Sequence, residues 1–96
     1  MLEIRPNCEN CNKPLHANST EAMICSYECT YCVSCVNEVL HNVCPNCGGG
    51  FEKRPIRPQS GLLKNPASST PVLKPVDLAS FEPLMETNKN IAPNKR

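Results

Sequence analysis

Four cysteines crowd into residues 25–35, CSYECTYCVSC, and two further C-x2-C pairs flank them, CENC at 8–11 and CPNC at 44–47. The full spacing is C-x2-C-x13-C-x3-C-x2-C-x2-C-x8-C-x2-C, and no cysteine lies outside it. This pattern constrains the fold more than anything else, because little else can hold the chain together. The 96 residues include no Trp, and the aromatic rings of Phe and Tyr are limited to Tyr27, Tyr31, Phe51 and Phe81. A domain this small needs disulfides, metals or a partner.

Compartment decides between disulfide and metal. MLEIRPNC has no basic stretch followed by an apolar run of about 7–15 residues, so it does not read as a secretory signal. No segment approaches the ~18 apolar residues of a membrane span. The expected location is the cytoplasm, where thiols stay reduced and clustered cysteines more often bind metal. A mature secreted fragment with a disulfide framework is the alternative.

A C-x2-C pair suits Zn2+ because its sulfurs reach adjacent corners of a tetrahedron with arms of about 2.3 Å. In CPNCGG, Pro45 presets the turn and Gly48 can take positive φ after the second ligand. CENC is the weaker signal, with Asn10 and Asn12 tolerating the tight geometry. Eight sulfurs fill two four-cysteine sites with none left over. Cys32 stands in two overlapping pairs and can serve only one; if it pairs with Cys35, then Cys29 pairs with Cys25. Two groupings remain open. The sequential one is Cys8, Cys11, Cys25, Cys29 and then Cys32, Cys35, Cys44, Cys47. The interleaved one is Cys8, Cys11, Cys32, Cys35 (site 1) and then Cys25, Cys29, Cys44, Cys47 (site 2). Each site contributes folding energy on the order of 10 kcal/mol. An iron–sulfur cluster is the rival, since C-x2-C-x2-C at 29–35 followed by Cys44-Pro45 is similar to a ferredoxin run. The gap before Cys44 is eight residues, however, rather than about three. His16 and His41 are expected to be exposed, although His41 could donate to a ligand sulfur.

The chain divides in two. Residues 1–54 hold every cysteine and carry six acids against four bases. Residues 55–96 carry six bases against three acids and seven of the ten prolines, so they read as a proline-rich, basic, disordered tail. Eight thiolates and two Zn2+ would bring the formal +1 to about −3. The cysteine half is therefore acidic, which argues against a nucleic-acid-binding finger with its basic face. Within it, Leu2 and Ile4 alternate like a short strand, and Met23-Ile24 with Tyr27 and Tyr31 suggests a hairpin around the ligands. Val36, Val39, Leu40 and Val43 place one apolar face on a short helix within 35–43. Gly48–Gly50 ends regular structure, and Phe51 is expected to fold back onto the core. RPIRP, 54–58, reads as an extended exit strand packing Ile56, or as a docking strip for an acidic partner. In the tail, 77–85 could form one or two helical turns with Ser80 as cap and Pro83 in the first turn.

The order of one pair, a loop, four close ligands, a short helix and CPxC resembles RING-type cross-brace domains over residues 8–47. That resemblance favours the interleaved grouping. MLEIRPNCENC, ICSYECTYC, VCPNCGG and RPIRP are also similar to short bacterial cysteine-rich proteins grouped as domain of unknown function 1272, over Met1 to about Thr70. This resemblance implies zinc and a RING-like fold without an activity. Ligase-type RING domains usually carry an apolar residue before the second ligand, a Trp before the last pair and a basic residue after the eighth ligand. This chain has Asn10, no Trp and Gly48, which argues against ubiquitin ligation.

Closed four-sulfur sites keep no position open for water, so catalysis finds little support. The expected fold is a small metal-bound α+β, RING-like cross-brace domain over 1–54, with a short hairpin, one short helix and two Zn2+ ions. The expected function is a non-catalytic cytoplasmic interaction module or adaptor whose partner is another protein. A ubiquitin-ligase-like role, an iron–sulfur protein and nucleic-acid binding through the tail are the alternatives. The sequence does not specify an oligomeric state.

Overall fold

The structure, a computed structural model, describes residues 1–96. Its centre is a three-stranded antiparallel sheet in the order β2-β1-β3, formed by β1 (Ala22–Ile24), β2 (Thr30–Cys32) and β3 (Glu52–Lys53). In the β1–β2 hairpin Met23 faces Tyr31 and Ile24 faces Thr30, with Cys25 and Cys29 in the connecting turn. The turn closes with the Cys25 N–H on the Cys29 carbonyl at 3.2 Å, and Glu28 takes a left-handed φ of 67°. The expected hairpin is therefore present, with a third strand added on its other edge.

Helix α1 (Val33–Glu38) follows β2 without a loop. It starts before the expected span and ends inside it. Past Glu38 the chain widens into a turn: both the Val39 and Leu40 N–H groups reach the Cys35 carbonyl, and His41 and Asn42 have φ of 50° and 59°. The apolar spacing that suggested a longer helix still serves burial, because Val36, Leu40 and Val43 are all buried. Phe51 folds back as expected. It meets Tyr31 edge-on with ring centroids 5.4 Å apart, and its N–H donates to Asn42 Oδ1 at 2.9 Å. The Leu2–Ile4 stretch forms no strand; Ile4 is buried, and its carbonyl accepts from Ser68.

RPIRP departs from its expected packing. Ile56 is half exposed, whereas Arg54 is buried and donates to the carbonyls of Arg5, Leu15 and His16 at 2.9, 3.2 and 2.9 Å. Arg54 is therefore a structural clamp, out of reach of an acidic partner.

The tail is not disordered. Residues 59–64 form α2 (Gln59–Lys64), residues 78–88 form α3 (Leu78–Asn88), and a 3-10 turn covers Pro93–Lys95. Phe81 is only 5% exposed and joins the core cluster, with Val76, Leu84 and Met85 packed against it. Composition suggested disorder because the tail alone has too few apolar residues to form a core. It orders by adding those few to an existing core and lending its backbone to side chains of the cysteine half. Asp77, not Ser80, caps α3, accepting from the Ala79 N–H at 3.2 Å, and Pro83 sits inside the helix. Gly48, at φ 77°, lies under this helix; a Cβ there would meet Asn88 Nδ2 at 2.8 Å and Leu84 Cδ1 at 3.3 Å.

Candidate metal centre

The two knuckles fold alike. In CENC the Asn12 N–H reaches the Cys8 carbonyl at 3.0 Å and the Cys8 N–H reaches the Lys13 carbonyl at 2.9 Å. In CPNC the Gly48 N–H reaches Cys44 and the Cys44 N–H reaches Gly49, both at 2.8 Å. The residue after the second cysteine is left-handed in both, Asn12 at 65° and Gly48 at 77°. Asn accepts this conformation at modest cost, so CENC forms the same turn without a glycine.

The hairpin then distributes the middle cysteines. Cys25 and Cys29 sit in its turn, Cys32 ends β2, and Cys35 lies one turn into α1. Glu9 holds the first knuckle against this unit. Its N–H donates to the Thr30 carbonyl at 3.0 Å, and its buried carboxylate accepts from the Thr30 N–H and from Arg5 Nη1 at 2.7 Å.

The result is two sulfur clusters. The sulfurs of Cys8, Cys11, Cys32 and Cys35 all lie within 4.8 Å of one another, and so do those of Cys25, Cys44 and Cys47. No cysteine is engaged in a disulfide. A tetrahedron with arms of about 2.3 Å has edges of about 3.8 Å, and the Cys11 and Cys32 sulfurs are 3.7 Å apart. Cys29 lies beside the second cluster but outside its mutual 4.8 Å set. His16 and His41 are exposed and join neither cluster.

Amide N–H groups point at the sulfurs. Tyr27 donates to Cys25 Sγ at 3.3 Å and Gly49 to Cys47 Sγ at 3.4 Å. The third residue of each knuckle does the same with its side chain: Asn10 Nδ2 is 3.3 Å from Cys35 Sγ, and Asn46 Nδ2 is 3.3 Å from Cys29 Sγ. Each asparagine thus reaches from its own knuckle to a cysteine of the hairpin–helix unit. The sequence holds a trace of this, C-x-N-C written twice, but Asn10 by itself reads as a missing apolar residue.

Burial pushes the Cys29, Cys32, Cys35 and Cys44 thiols above the ordinary thiol range, with Asn10 and Asn46 opposing it at Cys35 and Cys29. Burial also acts against ionisation of Cys11, but the Lys13 backbone and neighbouring thiols outweigh it, and Cys11 shifts down. Packed thiols resist ionising together without a cation, and a divalent ion relieves that by displacing their protons. The donor set, the spacing and the N–H groups therefore fit a thiolate-bound metal.

A family described as "Protein of unknown function (DUF1272)" matches residues 1–57. An uncharacterized protein of Rhizobium meliloti (strain 1021) is 53% identical over 75 residues, covering 78% of this chain and 89% of the relative. No solved structure matches.

Proposed function

The chain belongs to the DUF1272 family, and from that premise we propose that it is a zinc-organised, non-catalytic protein-interaction module. The observation that carries this reading is the set of four sulfurs from Cys8, Cys11, Cys32 and Cys35 drawn within 4.8 Å of one another with no disulfide among them. In this reading they form one site, and Cys25, Cys29, Cys44 and Cys47 form the other. Cys29 is assigned as the fourth ligand because Asn46 holds its sulfur just as Asn10 holds that of Cys35. When bound, zinc supplies folding energy on the order of 10 kcal/mol per site.

Sites closed by four sulfurs offer no open coordination position, which supports a structural rather than a hydrolytic role. No helix is long and apolar enough to cross a membrane, and reduced, closely grouped thiols are consistent with a cytoplasmic setting. Asn10 and Gly48, which depart from the ligase pattern, are both engaged by the tail, through Val76 and Asn88. This counts against assistance to ubiquitin transfer.

Native mass spectrometry of freshly purified protein, with an absorption spectrum of the same sample, tests the reading. The expected result is two zinc ions in a colourless solution. Iron in the mass with absorption near ~400 nm would replace it with an iron–sulfur protein.

A further inference from the structure

Residues 71–76, PVLKPV, run extended along the first knuckle and bond to it at every second residue. The Val72 N–H donates to Asn7 Oδ1 at 3.3 Å, and Asn7 Nδ2 returns to the Val72 carbonyl at 2.8 Å. The Lys74 N–H donates to the Glu9 carbonyl at 2.7 Å, and the Val76 N–H to Asn10 Oδ1 at 2.9 Å. All these contacts are to the peptide backbone. Pro71 and Pro75 fall on the alternate positions, where no donor is needed. Proline also restricts the free segment, lowering the entropy lost on docking. Asp77 then caps α3, which buries Phe81 as its anchor. The tail leaves a cavity of about 260 Å3 beside Phe81, bounded by Tyr31, Pro45 and Asn46.

An extended strip read through its backbone, followed by an aromatic anchor, is how domains bind peptides. We propose that this face is a peptide-binding site and that the chain's own residues 71–85 occupy it in cis. An external partner would present the same chemistry: an extended segment with prolines on the outward positions, then a short helix carrying an aromatic residue. The inference rests on the interaction-module reading and gives its surface and ligand class. Asn10 ties the site to the metal centre, because its amide oxygen holds Val76 while its Nδ2 holds Cys35 Sγ. The sulfur cluster thereby fixes the orientation of a peptide-reading side chain.

A tethered ligand competes at an effective concentration on the order of millimolar, so a free peptide should bind the wild type poorly. The test uses full-length Phe81→Asp, which releases the anchor, and a fluorescent peptide of residues 70–90 followed by anisotropy. The expected result is binding to Phe81→Asp at least tenfold tighter than to the wild type, and at least tenfold weakening when Asn7→Ala is added. Zinc content is measured on every sample. If Phe81→Asp loses metal, Leu84→Asp opens the same face from its half-buried rim. Equal affinity for wild type and variant, or no binding to a zinc-loaded variant, overturns the proposal. Metal loss from both variants also overturns it, because the tail is then integral to the fold. A wild type without zinc instead overturns the underlying reading.

Discussion

Arg54 shows how a single residue can mislead a reading by composition. A cation after a lysine and before a proline reads as surface, yet its guanidinium lies inside and ties the N-terminal segment, the first loop and the β3 exit through the carbonyls of Arg5, Leu15 and His16. Burial lowers its pKa, but guanidinium stays charged at any working pH. Arg54→Ala strands three carbonyls, and the expected cost is about 2–4 kcal/mol. Arg54→Lys keeps the charge but loses the planar fork and should recover less than half of that. Denaturant unfolding of zinc-loaded protein at fixed free zinc measures both, since metal binding otherwise shifts apparent stability. Asn10 and Asn46, beyond the repeated C-x-N-C, are hard to read for a related reason. Their value lies in joining a knuckle to a distant sulfur, and sequence shows only that a small polar residue fits the turn.

At the scale of elements, what could be read is what repeats locally. The hairpin shows in the apolar and β-branched residues around Cys25 and Cys29, and the knuckles show in C-x2-C. Helix α1 was legible as an apolar face but not in its limits, because burial of Val36, Leu40 and Val43 is achieved by a helix and then a left-handed turn. The strap at 71–76 is hard to read from sequence because it is held mainly through its backbone, with Val76 packed against the core. Helix α3 offers a sharp check on capping. Asp77 accepts from Ala79 and from Ser80 Oγ, so Asp77→Ala removes the acceptor while Ser80→Ala removes only a donor to it. Hydrogen exchange of the α3 amides should quicken clearly in Asp77→Ala and little in Ser80→Ala. The reverse order would return the cap to Ser80.

The whole molecule is a chain folded across itself, with thiols far apart in sequence brought into shared clusters. Under limiting chelator, alkylation followed by peptide mapping should yield molecules modified together at Cys8, Cys11, Cys32 and Cys35, or together at Cys25, Cys29, Cys44 and Cys47. Joint modification of Cys8, Cys11, Cys25 and Cys29 would establish the sequential grouping instead. The crossed arrangement also gives the protein a history on the ribosome. The chain emerges N-terminus first at about 5–20 residues per second. One set of thiols is complete once residue 35 has left the exit tunnel, while Cys25 waits for Cys44 and Cys47. The segment that covers the first knuckle is translated later still. A nascent chain therefore leaves its cysteine-rich half uncovered for a period of seconds before the protein's own tail can reach it.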